Sequence, residues 1–175
     1  MTLMGEHIYL RPLELSDANG NYPNWLNDPE ICKYNSHGDV KYTKQMAVEY
    51  IQNVQKSENC EVFAICDKKT NQHIGNIALQ DISEKNKSAE FAIMFGEVPF
   101  MGKGLSKEAG SLLIKYGFET LSLHRIHCGT SIHNIPMQKL ALYLNMKQEG
   151  IRRDAILKNG KYFDTIVYGI ISNKI

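Results

Sequence analysis

Gly102 and Gly104, separated by one lysine, stand directly ahead of an amphipathic stretch that opens at Leu105. Glycine lets a backbone come close to a ligand, and the first turn of a helix carries N–H groups with no intrahelical partner. The positive end of the helix dipole adds a preference for an anion. The segment Pro99-Phe-Met-Gly-Lys-Gly-Leu-Ser106 is therefore a candidate phosphate cradle made of main-chain donors. Two familiar phosphate loops do not fit it. Lys107 occupies the place of the third glycine in the dinucleotide fingerprint. Five residues rather than four separate Gly96 from Gly102-Lys103, and Gly104 stands where a nucleotide-triphosphate loop needs Ser or Thr. Taken alone, paired glycines before a helix are also an ordinary helix entry.

The cradle needs a strand to lead into it and a helix to follow. His7–Pro12 alternates apolar and polar and stops at proline, so it reads as a first strand, with Ser16 and Asp17 capping a helix that Pro23 keeps short. Thr43 is the predicted N-cap of a second helix, whose Met46, Val48, Tyr50, Ile51 and Val54 share a face. Glu61–Cys66, Ile74–Ile82 and Glu90–Phe95 read as three antiparallel strands separated by polar turns. After the glycines comes the central helix, with Leu105, Ala109, Leu112, Leu113, Tyr116 and Leu121 at helical spacing. A strand at Ile126–Ser131, a helix from about Ile135 to Leu144 and two strands around Lys158-Asn-Gly160 complete the chain. The helical crossover creates at least one parallel neighbour.

The 175 residues fit one domain, expected to span 1–175, and no repeat or low-complexity linker divides them. With 43% hydrophobic and 22% charged residues the chain is in the globular range. Lys plus Arg number 20 against 19 Asp plus Glu, so no global field favours nucleic acid or an anionic membrane. Neither partner is expected. Cys32, Cys60, Cys66 and Cys128 contain no C-x-x-C pair and make no zinc framework with the histidines, so no metal is expected and the thiols read as reduced and mostly buried. The opening Met1–His7 carries no secretion pattern, and the longest apolar runs fall far short of the ~20 residues that span a bilayer. The expected location is the cytoplasm.

Ala89-Glu-Phe-Ala-Ile-Met-Phe95, Gly102-Lys-Gly-Leu-Ser-Lys-Glu-Ala109, Tyr116-Gly-Phe-Glu119, Leu123-His-Arg-Ile126 and Asn134 follow one another along the chain. Their order and spacing resemble the GNAT superfamily of acetyl-CoA-dependent N-acetyltransferases. Tyr9-Leu-Arg-Pro-Leu13 with Asp17-Ala18, Trp25-Leu-Asn-Asp-Pro29 and Asn159-Gly-Lys-Tyr-Phe-Asp164 are similar to its RimJ/RimL branch, which includes enzymes acting on ribosomal-protein amino termini. The resemblance covers nearly the whole chain. It implies an α+β GNAT fold: a mostly antiparallel, mixed seven-stranded sheet splayed between strands 4 and 5, flanked by about four helices. The pantetheine arm of acetyl-CoA would lie in the opening. Carried over by position, Met101, Gly102, Lys103, Gly104, Leu105 and Ser106 would face the pyrophosphate. Phe95 and its strand backbone would pair with the pantetheine amides, and Asn134 matches the family's coenzyme-contacting asparagine. Lys103, Lys107 and Lys139 would add charge near the phosphates.

Acetyl transfer needs a neutral amine, a donor for the developing oxyanion and a proton for the departing thiolate. Glu90 matches a position where the family often carries a glutamate acting through water, and the alternative is a structural carboxylate. The family's acid positions depart from pattern. Met137 stands in place of the branch's serine, Ala141 in place of the tyrosine used elsewhere, and Asn145-Met146 in place of Gly-Phe. Tyr143, displaced by two residues, and His133 beside Asn134 are the substitutes within the chain. Pro99 replaces the usual Arg or Gln ahead of the glycines, leaving recognition to main-chain donors.

For the acceptor, the early segments Asn21–Asp28 and Tyr34–His37 are rich in aromatic and hydrogen-bonding groups. Trp25, Asp28 and Tyr34 are the candidate substrate contacts, against the plainer roles of core anchor and turn residues. The expected activity is direct acetylation of a primary amine: a protein amino terminus, a nucleotide-linked amino sugar or a small amine. A non-catalytic acetyl-CoA sensor of the same fold is the alternative, and a monomer or homodimer is expected.

Overall fold

The structure, a computed structural model, describes residues 1–35 and 40–172. Ser36 and His37 of the second acceptor segment lie outside them. All strands join one sheet. A two-residue strand, β1 (Leu3–Met4), is followed by β2 (Ile8–Pro12), and then by the short helix α1 (Tyr22–Trp25) and the longer α2 (Lys44–Lys56). The meander β3 (Glu61–Asp67), β4 (His73–Ser83) and β5 (Ser88–Phe95) leads to the central helix α3 (Leu105–Glu119). Strand β6 (Arg125–Ser131), helix α4 (Ile135–Tyr143) and the hairpin β7 (Lys147–Lys158) and β8 (Lys161–Ile171) finish the fold.

The strand order is β1-β2-β3-β4-β5-β6-β8-β7. Every pairing is antiparallel except β5 with β6. That parallel pairing holds for only three positions, Ser88 with Arg125, Ala89 with Ile126 and Glu90 with His127. Beyond Glu90 the two strands part, so the expected splay is present between the fourth and fifth strands of the seven predicted ones. The eighth is Leu3–Met4, too short to leave a periodicity in the sequence.

Two cores lie on the two faces of the sheet. Ile8, Phe63, Ile77, Phe91, Ala109, Leu113, Ile126 and Ala141 form the one under α3 and α4. Leu13, Trp25, Ala47, Ile51, Ala64 and Ala78 form the other, under α1 and α2. The period-2 alternation of the strands separates these sets. Asn159-Gly160 turns the final hairpin with φ of 50° and 73°, the left-handed pair that a two-residue turn requires.

Some local expectations are corrected. Asp17 does not cap from outside a helix: it sits inside a 3-10 turn, Leu15–Asn19, and accepts from the N–H of Glu14, which is the cap. Helix α2 begins at the expected cap, with Thr43 Oγ1 accepting from Met46 N–H at 3.2 Å. Its buried stripe is Ala47 and Ile51, whereas Met46 and Tyr50 are exposed. Leu121 lies past the end of α3. All four cysteines are free thiols, and Cys32, Cys66 and Cys128 are buried.

Candidate active site

The phosphate end comes first. Gly102 and Gly104 have φ of 74° and 80°, the left-handed region that β-carbons disfavour, and a β-carbon at either would meet nothing within 4 Å. Gly104 is the N-cap of α3, and its carbonyl takes the Lys107 N–H at 3.0 Å. No side chain caps this terminus, so the first N–H groups of a 15-residue helix face the space that the glycines leave open. The space is part of a cavity of about 680 Å³ lined by Phe100, Lys103, Gly104, Lys107, Glu108 and Tyr143. Lys103 Nζ lies 5.5 Å from the Phe100 ring centre and Lys107 Nζ 4.6 Å from that of Tyr143. An open bend, uncapped donors and two lysines make a fitting seat for a diphosphate. Glu108 also lines the cavity: burial favours its neutral form, but the His7 and Ile8 N–H groups and the His7 ring outweigh that and hold its carboxyl below the ordinary range, so it stays a carboxylate whose oxygens are engaged by the β2 end. Lys139 is exposed on α4 and does not line this cavity. Ser106 is half-buried and Leu105 buried, so both offer main chain rather than side chain.

A tryptophan fixes where β5 turns into this loop. Trp25 is 2% exposed, and its Nε1–H donates to Glu97 Oε1 at 2.9 Å. Gly96 lets the indole lie against the strand end, since a β-carbon there would meet the ring at 1.9 Å. Asn21 Nδ2 donates to the same Glu97 oxygen at 2.7 Å. The expected acceptor contact is corrected accordingly: Trp25 is sealed into the core and offers no face to a ligand. Asp28 likewise spends Oδ1 on the N–H groups of Glu30, at 2.8 Å, and Ile31, as an Asx turn. Tyr34 is half-buried with Lys33 Nζ 5.7 Å from its ring centre.

The groove between the strands comes next. From Phe91 to Phe95 the edge of β5 that faces β6 has no strand partner among the described residues, so its main-chain groups are available to the amides of an extended arm. Phe95 packs its half-buried ring toward the α3 core. Asn134 caps α4 through Oδ1, which accepts from the Met137 N–H at 3.3 Å, and among the described residues Nδ2 has no partner.

At the closed end of the groove stands Glu90. Its Oε2 accepts from Gln80 Nε2 at 3.2 Å across the β4–β5 pairing, and Oε1 has no partner among the described residues. Its register partner His127 was not singled out from the sequence, because only the parallel pairing brings the two together. Cys128, next along β6, is pushed up to about 12 by burial and by the nearby Glu90 and Glu149 carboxylates, so it stays an inert thiol. The substitutes for the family acid are not gathered here. Tyr143 is 52% exposed and turned to Lys107 at the phosphate end. His133 is exposed past the end of β6, its ring edge-on to Phe163 at 5.6 Å. Ala141 is fully buried and Met137 half-buried against the α3 core. Among the described residues no cluster of three or more His, Cys, Asp or Glu could hold a metal, and no helix is long and apolar enough to cross a membrane.

A sheet parted beside a glycine loop at a helix N-terminus defines a coenzyme-A-type acyltransferase, and comparison with known proteins agrees. Residues 7–147 match the family model described as "Acetyltransferase (GNAT) domain", and the chain belongs to that family. It is an N-acetyltransferase with acetyl-CoA as its donor. The chain is 31% identical to N-acetyltransferase p20 of Bacillus licheniformis over 99% of this chain and 97% of that one. Among solved structures, RimL, a ribosomal L7/L12 α-N-protein acetyltransferase in complex with coenzyme A, superposes with a TM-score of 0.89 at 16% identity, covering 98% of each chain. The spermidine N-acetyltransferase of Vibrio cholerae, in complex with CoA and spermine, gives 0.87 at 24% identity, covering 96% of this chain and 97% of that one.

Proposed function

We propose that the chain acetylates a primary amine by direct transfer, with Glu90 taking the proton from the incoming ammonium. The observation that carries this reading is the parting of β5 and β6 immediately after Glu90. A thioester threaded from the glycine loop along the free edge of β5 ends near that carboxylate, whose Oε1 has no partner among the described residues. The amine reaches it from the face of the sheet that carries Gln80, Glu90 and His127, opposite α3. Binding both partners in this cleft turns a bimolecular attack into an oriented one.

The residues then act in sequence. Glu90 accepts the ammonium proton, and the freed lone pair attacks the carbonyl carbon. Main-chain N–H groups on the unpaired edge of β5 are the donors available to the oxyanion. With Met137 and Ala141 in the family's acid positions, the departing thiolate takes its proton from the attacking nitrogen. Spermidine and a ribosomal protein's α-amino group, which the names of the two structural neighbours give as their acceptors, both offer a primary amine, so the shared chemistry is the amine. A nucleotide-linked amino sugar belongs to the same class.

Calorimetry with coenzyme A, followed by thiol release from acetyl-CoA with spermidine, a seryl peptide and glucosamine 6-phosphate, tests the reading. Coenzyme binding and turnover of at least one amine are expected. Binding with no turnover would favour a sensor module, the reading that Met137 and Ala141 support; no binding would remove both.

A further inference from the structure

Among the described residues, no helix covers half of one sheet face. The strip formed by Arg125, His127, Gly129 and Ser131 on β6, and by Gly169, Val167 and Thr165 on β8, continues the face that α1 and α2 cover on β3 to β5. Among the described residues only two buried side-chain N or O atoms have no hydrogen-bond partner, His127 Nδ1 and Thr165 Oγ1. Both belong to this strip. A buried polar atom without a partner is costly, and such atoms call for a functional explanation. His127 pairs in register with Glu90 at the last position before β5 and β6 part. Its ring also lines a cavity of about 400 Å³ on the side away from the splay, with Ser88, Arg125, Glu149 and Arg152.

We infer that His127 is the partner of Glu90 that carries the acceptor's proton out of the site, through the cavity behind it. This rests on the reading of Glu90 as the proton acceptor. Glu90 cannot begin a second cycle while protonated, and the bound coenzyme would fill the groove on its other side. Glu90 and His127 Nδ1 are neighbours in register but not bonded to each other as they stand, so the carboxylic acid turns toward the ring to pass its proton to Nδ1, and the opposite ring nitrogen releases one to water in the cavity. Each turnover thus delivers one proton to solvent, while the nitrogen's remaining surplus proton leaves on the thiol. Two carboxylates and two guanidinium groups surround the ring. Glu90 faces it from β5, Arg125 from its own strand, and Glu149 and Arg152 from β7, while β8 contributes only Gly169 and Val167. Arg125 and Glu149 bind each other through both guanidinium nitrogens, so neither competes for the histidine. Gly169 is what lets that pair lie flat, because a β-carbon there would meet Glu149 Oε1 at 2.5 Å.

The test compares wild type, His127→Ala and His127→Phe in steady-state thiol release with the amine that turns over fastest, in buffers with and without imidazole. His127→Ala is expected to lower kcat about tenfold to a hundredfold, below most of the ~10²–10⁴-fold range for a lost acid or base because the histidine acts one step behind Glu90, with both KM values within about twofold. Added imidazole should restore most of the loss in His127→Ala and leave wild type unchanged. His127→Phe, which keeps the ring volume, should lose as much and ignore the buffer. A kcat within about twofold of wild type in either folded variant, or a loss in His127→Ala that imidazole does not repair, overturns the inference. Calorimetry on each protein keeps the two readings apart. Coenzyme binding with turnover intact in the variants sinks only the role of His127, whereas no coenzyme binding by wild type sinks the acetyltransferase reading and this one with it.

Discussion

The two ends of the coenzyme groove are built from different material. At the phosphate end the working parts are main-chain N–H groups, exposed by two left-handed glycines and by a helix terminus that no side chain caps. At the transfer end the parts we propose are side chains, Glu90 and His127, set side by side by three pairs of a parallel ladder. Main-chain machinery tolerates changes in neighbouring side chains, so Pro99 can replace the usual polar residue there without disabling the loop. Side-chain machinery does not. The transfer end nevertheless departs from the family pattern, with Met137 and Ala141 in the acid positions, so a change there should alter the chemistry and not only the fit.

The largest effect should come from separating these ends. Glu90→Gln keeps the shape and the Gln80 contact but removes the base, so kcat should fall about 10²- to 10⁴-fold. Its coenzyme affinity, read by calorimetry, should stay within about twofold of wild type. A parallel loss of coenzyme affinity would show that the ends are one unit.

A second prediction concerns the support beneath both ends. Burial would by itself raise the carboxyl of Asp17, but hydrogen bonds from Arg11, His73 and the Glu14 N–H outweigh that and hold it far below the usual range. The His73 ring also lies 4.9 Å from that of Trp25, so this cluster reaches the residue that positions the glycine loop. A depressed folded-state pKa gives stability that is present above the unfolded value near ~3.9 and is lost as pH falls through it toward the folded value. Asp17→Asn strands Arg11 and should cost about 3–5 kcal/mol in urea unfolding at pH 7. It should also flatten the acid limb of the stability profile below pH ~4. A variant that unfolds with the wild-type pH slope would remove Asp17 as the source.

The difference between the ends also explains what the sequence disclosed. Main-chain sites leave a local mark, because glycine spacing and a helix start are contiguous; Gly102 and Gly104 were legible for that reason. The strands and their antiparallel meander were legible through alternation and turns, whereas the place of β8 between β6 and β7 was not. His127 was not, since its meaning depends on which residue of β5 stands beside it after a helical crossover. Trp25 misled for a related reason. Its partners, Gly96 and Glu97, lie far along the chain, and nothing near residue 25 announces that the indole will be sealed against them. Asp17 gave the right signal at the wrong place, inside the turn rather than before it.

Gly104→Val probes the main-chain end directly. A branched residue at a φ of 80° costs about 1–2 kcal/mol of stability. Its β-carbon, which meets no protein atom, would also enter the space where a diphosphate approaches. Losing one charge-assisted hydrogen bond, about 1.5–3 kcal/mol, should weaken coenzyme binding about tenfold to a hundredfold. The rate at saturating coenzyme should be much less affected, because Glu90 lies at the other end of the groove. If kcat fell as far as affinity, the glycine bend would be positioning the thioester as well as holding the phosphates.

The smallest effect should be that of Tyr143. Its hydroxyl would be the thiolate's acid only if the ring turned toward the splay, but it stands over Lys107 beside the glycine loop. Removing the hydroxyl in Tyr143→Phe leaves the ring and its contact with the ammonium, so kcat should stay within about twofold. Tyr143→Ala removes the ring as well and frees Lys107 from an exposed cation–π contact of about 0.5–1 kcal/mol. The consequence should be a change of about two- to fivefold in the KM for acetyl-CoA, with the amine KM unmoved. A Tyr143→Phe enzyme slowed a hundredfold, with its alkaline limb shifted, would instead make this tyrosine the acid and move one side chain from the phosphate end to the transfer end.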